Sequence, residues 1–157
     1  MKKVMVSCFA LVSVASMAIT PITGFTERNY LGDGEWLSQD GNTGTFKTFI
    51  DFESDGWTVA KFSLGNLYVY ETTAQIDSNG FLTATVNDVS DPSNVKYYSG
   101  YGNCGSTYCQ FTVALDNGVM QKAVIFNSDG TLENIGAIYF NDGTPNIQWE
   151  GSSVPLP

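Results

Sequence analysis

TFKTFIDFESDGWTVAKFSL, residues 45–64, is the stretch that decides the fold. Phe46, Thr48, Ile50 and Phe52 recur at every second position, while Lys47, Asp51 and Glu53 occupy the positions between them. A period of two is the mark of a strand with one buried face. Ser54-Asp55-Gly56 then reverses the chain. A second run follows, with Lys61 on the wet side and Thr58, Ala60, Phe62 and Leu64 opposite it. Two such runs joined by an Asx-Gly pair make a β-hairpin, because tight hairpin turns need positive φ, which glycine adopts freely and Asn or Asp tolerates best.

The same punctuation recurs along the chain at Asp33-Gly34, Asp40-Gly41, Asn79-Gly80, Asn117-Gly118, Asp129-Gly130 and Asp142-Gly143. It separates further alternating runs. Residues 67–77 carry Tyr68, Tyr70, Thr72, Ala74 and Ile76 on the face opposite Glu71, and residues 81–89 carry Leu82, Ala84 and Val86. Pro92 interrupts the ladder, and strands over 95–101, 108–115, 119–127, 132–141 and 146–150 complete the series after a first strand that opens at Trp36. No segment of the mature chain shows the 3.6-residue period or the composition of an amphipathic helix. The expected fold is all-β: an antiparallel up-and-down meander of about eight to ten strands that closes into a barrel, since closure removes the unpaired edges of an open sheet. A two-sheet sandwich is the alternative, with the longer crossovers of Greek-key connections against it.

The first residues obey a different logic. Lys2 and Lys3 precede an apolar run over 4–15, and Ser16-Met17-Ala18 offers the small-x-small pattern of signal cleavage. We expect a secretory signal over 1–18, an irregular lead-in over 19–31 and a single β-barrel domain over 32–157, in a periplasmic or secreted protein. The apolar run falls short of the roughly 20 residues that span a bilayer, and no membrane span is expected. An outer-membrane barrel is disfavoured by charges at mid-strand positions assigned to the outer face, namely Lys47, Asp51, Glu53, Lys61, Glu71, Lys122 and Glu133.

Loss of the signal removes Cys8 and leaves Cys104 and Cys109, an even pair in an exported chain, flanked by Gly102 and Gly105. A local disulfide follows. Beyond residue 18 the chain keeps five Lys and Arg against sixteen Asp and Glu. Such an acidic surface repels polyphosphate, so nucleic acid is excluded as a partner. There is no histidine, which removes the commonest general base and leaves too few ligands for a zinc site; no metal, cofactor or catalytic residue is assigned. Asp51 and Glu53 share a face and could in principle act as the carboxylate pair of a hydrolase, but that face is the wet one. Asp40-Gly41-Asn42-Thr43 and Asp88-Val89-Ser90-Asp91 resemble fragments of calcium loops without the full ligand set, and are read as turns.

Gly34-Glu35-Trp36 at the opening of the first strand resembles the Gly-x-Trp signature of the lipocalins. That resemblance implies a calycin-like meander barrel with a small apolar ligand at its mouth and Trp36 as the residue that closes the barrel. The later Thr-Asp-Tyr motif of that family is absent, and Arg28, the sole arginine, precedes the Trp. From the residues themselves, Phe62, Tyr68, Tyr70, Tyr97 and Tyr101 are expected to point inward and line a ligand pocket with apolar walls and a few hydroxyls. The opposing expectation is a core filled by its own side chains. If Tyr97, Tyr98, Tyr101 and Tyr108 instead face outward, they form an aromatic rim suited to a protein or glycan partner. The expected molecule is a monomeric binding protein, with ligand capture first and a surface interaction module second.

Overall fold

The computed structural model describes residues 28–52, 57–64, 67–76, 80–88 and 91–157. These form ten strands: β1 (Arg28–Ser38), β2 (Thr43–Phe52), β3 (Trp57–Leu64), β4 (Leu67–Ile76), β5 (Phe81–Asp88), β6 (Asp91–Cys104), β7 (Tyr108–Leu115), β8 (Gly118–Phe126), β9 (Leu132–Phe140) and β10 (Ile147–Pro155). No helix occurs among the described residues, and hence none long and apolar enough to cross a membrane. Each strand pairs antiparallel with its sequence neighbour, and β10 returns to β1 to close the barrel. At that seam Tyr30 faces Pro155 and Ser38 faces Ile147; on its other edge β1 runs from Arg28 against Phe52 to Leu37 against Thr43. The meander barrel expected from the alternation is therefore the observed architecture.

Glycine supplies positive φ at the tight turns, at Gly41 (91°), Gly80 (80°), Gly130 (87°) and Gly143 (87°). Three of these turns are tied by the preceding aspartate. Asp129 accepts the Thr131 N–H at 2.9 Å and its hydroxyl at 2.7 Å; Asp142 accepts the Thr144 N–H at 3.0 Å; Asp40 accepts the Asn42 side-chain amide at 2.8 Å. A short carboxylate can satisfy the backbone two residues on, and Asp142 is held further by the Asn117 amide at 2.8 Å.

Several boundaries differ from the sequence reading: β6 already begins at Asp91, so Pro92, expected to interrupt the ladder, lies within it past a register irregularity at Asn87/Asp88, and β10 runs on beyond residue 150 to Pro155. The lead-in expected through residue 31 is strand from Arg28 onward, and Asp33-Gly34 is no turn but the middle of β1. Gly34 faces inward there, with the Phe46 ring and the Glu150 carbonyl in the space a side chain would take. The signal and the first part of the lead-in lie outside the described residues.

The packed core is a cluster of Tyr30, Ile50, Val124, Phe126 and Leu132, with Cys109 and Phe111 against it. Tyr30 and Leu132 expose nothing to solvent. Burial in this cluster raises the Tyr30 phenol above its ordinary pKa, partly offset by the Arg28 charge. The cluster fills one end of the barrel, where β1 and β9 begin and β2 and β8 end.

Candidate ligand site in the barrel lumen

Inward and outward faces follow from register. Val124 and Phe126 are buried on β8, so Lys122 and Met120, at the same parity, face the lumen as well. Lys122 lies opposite Phe111 on β7 and Gly136 on β9. Gly136 in turn lies opposite Trp149, Trp149 opposite Trp36, and Trp36 opposite Gly44. One inner row thus runs Phe111, Lys122, Gly136, Trp149, Trp36, Gly44 across six strands. The glycines make room for the indoles: a Cβ at Gly136 would overlap the Trp149 ring, and one at Gly44 would come within 2.6 Å of Trp36 Nε1.

Burial separates this row from the core. Every member of it is half-buried, whereas Tyr30, Ile50, Phe126 and Leu132, further toward the other end, are sealed. Large inward side chains in a solidly filled barrel would all lose contact with solvent. Here Trp36, Trp149, Phe46 and Phe111 keep part of their surface, so the inner side chains are sealed at one end of the barrel and touch solvent toward the other.

Lys122 is the charged group in that row. It makes no ion pair or hydrogen bond among the described residues, and burial alone pulls its amine down from 10.5 to about 8. An ammonium taken out of water without a partner is costly, which is why buried lysines are rare and shift toward the neutral form. Asn134, the diagonal inward neighbour of Lys122 on β9, is buried and accepts a hydrogen bond from Trp149 Nε1 at 3.0 Å. Ser153 on β10 is buried with its hydroxyl unpaired. Lys122, Asn134 and Ser153 therefore step diagonally across three neighbouring strands as polar groups on an otherwise apolar and glycine-rich inner wall.

The residues expected from sequence divide. Tyr97 and Tyr101 do not line the lumen: they stand on the outer face of β6, 79% and 70% exposed, with Tyr101 edge-on to Phe81 at 5.8 Å. Their parity is set by Gly100, which lies between buried Leu82 and Val113 and so must face inward. Phe62 and Tyr70 lie opposite each other on β3 and β4, and a register irregularity after Phe62 sets Tyr68 opposite Ser63; their side chains lie outside what is described. Trp36 points inward, half-buried, while the sealed layer is that of Tyr30. Cys104 and Cys109 are directly opposed across β6 and β7 and form the expected disulfide.

Lys122, placed on the wet face by its charge, belongs to the inner one; counting by twos back from Phe126 and Val124 would have found it. Asp51 shares the outward parity of Lys47, Glu53 lies outside the described residues, and the Asp40 carboxylate serves its own turn. The outer faces of β1, β9 and β10 carry Asp33, Glu35, Glu133 and Glu150 around a shallow groove of about 390 Å³. No group of three or more acidic or thiol side chains among the described residues is placed to hold a metal.

No known family model matches the chain, and no curated protein does. Among solved structures, the chain is similar to a protein of unknown function of the DUF3598 family from Nostoc punctiforme, at 13% identity and a TM-score of 0.56 over 89% of this chain. The chain spans about half the length of that structure, 51%. A barrel-like fold is common to both.

Proposed function

We propose that this protein is an exported, lipocalin-like carrier that holds a small amphipathic ligand in the accessible end of its barrel. The observation that carries this reading is the half-buried inner row of Trp36, Trp149 and Phe111 around Lys122, set above a sealed core. Apolar walls with a few convergent polar groups are the usual make-up of a small-molecule site. The uncharged fluorophore N-phenyl-1-naphthylamine tests it, since a molecule held beside two indoles receives energy from them. Saturable one-to-one binding with tryptophan-sensitised emission is expected. A linear, unsaturable response would remove the lumen as a binding site.

A second reading is favoured by the outer strip of Tyr97, Tyr101 and Phe81 on β5 and β6, whose exposure suits contact with a protein or glycan.

A further inference from the structure

We infer that the ligand is an acid, and that Lys122 binds its carboxylate inside the barrel while the hydrocarbon part lies against Trp36 and Trp149. The inference rests on the lumen-binding reading above and specifies its chemistry.

Three observations converge on it. First, register and burial put Lys122 on the inner wall, between Phe111 and Gly136, in the row that remains accessible. Second, no described side chain offers this ammonium a counter-charge. The described inward positions of β8, β9, β10 and β1 near it are apolar, glycine or neutral polar, and the acidic side chains of these strands, Glu133, Glu150, Asp33 and Glu35, are all at outward parity. Among the described residues no acidic side chain pairs with Lys122. Third, the groups diagonal to it are hydrogen-bonding neutrals. The Asn134 side chain is fixed through its oxygen by Trp149 Nε1, which leaves its amide nitrogen on the side toward Gly151. A carboxylate beside Lys122 would meet its cation.

The sign of the charge matters as much as its presence. A neutral ligand would leave the ammonium unpaired, and a cationic one would add to the penalty. An anion relieves it, because charge-assisted contacts in a site shielded from water are the strong ones. The apolar part of the molecule follows from the walls: two indoles and the Phe111 ring border the same row. A medium-chain fatty acid has this combination. The acidic outer surface would slow the approach of an anion without changing its affinity once inside.

The test compares decanoate with 1-decanol, which share a hydrocarbon chain and differ in charge, by displacement of N-phenyl-1-naphthylamine from the full-length mature protein and from Lys122→Met. Decanoate should bind the unmodified protein about 10-fold or more tightly than decanol, as expected for a charge-assisted contact in a desolvated site. In Lys122→Met that preference should vanish, through weaker decanoate binding with decanol unchanged or tighter. Equal binding of the two by the unmodified protein overturns the anchor and needs no variant. Retained preference in Lys122→Met does so too. If the fluorophore binds and neither decyl compound displaces it, the anchor fails and the lumen remains a site. If nothing binds, both readings fail together.

Discussion

Replacing Lys122 with Met should make the barrel more stable, by an amount that depends on pH. The amine sits at 10.5 when solvated and at about 8 in the fold, where burial disfavours its charge. One pH unit of displacement corresponds to about 1.4 kcal/mol, so the ammonium costs the folded state about 3 kcal/mol at most. Lys122 keeps partial contact with solvent, and water in the lumen screens part of that, which brings the expected gain to about 1–3 kcal/mol. Because the folded value lies below the unfolded one, the unfolded chain binds the extra proton between about pH 8 and 10.5. Wild-type stability therefore rises across that window and carries the full penalty below it. Methionine carries no proton and fills the volume of the lysine stem. Urea unfolding of both proteins, followed by tryptophan emission at pH 7 and pH 10, measures the difference. The variant should lead clearly at pH 7 and by much less at pH 10. A variant less stable at pH 7, or an equal gap at both, would refute an enclosed and unpartnered ammonium.

Two further outcomes follow from the geometry. Gly136→Ala places a methyl group where the Trp149 ring lies, so the ring must shift and strain its hydrogen bond to Asn134; a loss of about 1–3 kcal/mol in thermal unfolding with altered tryptophan emission is expected, and an unchanged midpoint would show that the indole does not cover this glycine. The Asp142 carboxyl is held at about 2 by the Thr144 side chain, the Asn117 amide and the Thr144 N–H, so the stability it contributes is present above the ordinary carboxylate range and is lost as pH falls toward about 2; an NMR titration should show Asn117→Ala moving it upward, and no movement would discount the 2.8 Å contact.

The strand count, the antiparallel order and the closure were readable because alternation and turn chemistry agree over most of the chain. Thr48 and Ile50 are buried as their period of two requires, and four Asx-Gly glycines hold the positive φ that marked them. The reading failed where the inner wall is made of glycine. In β6 the inward positions include Gly100 and Gly102, which carry no apolar side chain, while Tyr97 and Tyr101 on the outer face look like core. In β1 the same inversion hides Gly32 and Gly34 inside and leaves Leu31 and Leu37 outside, 45% and 51% exposed. Hydrophobic periodicity reports which face is greasy, and a wall of glycines roofed by indoles from neighbouring strands is greasy only in three dimensions. Lys122 was hidden for the converse reason: a charge normally marks water, and only its parity with Val124 and Phe126 shows that here it does not.

Nine of the ten strand pairings are local hairpins, whereas the seam joins Tyr30 to Pro155 across more than a hundred residues. Its loop-closure entropy is the largest in the molecule, so the ribbon can zip from its turns while this last ladder waits for both ends to meet. Opening reverses that order. Among the ladders this one alone has no turn to hold it in register, and it borders both indoles. Breathing between β1 and β10 would uncover both indoles, at a rate that hydrogen exchange at Trp36 and Trp149 would report.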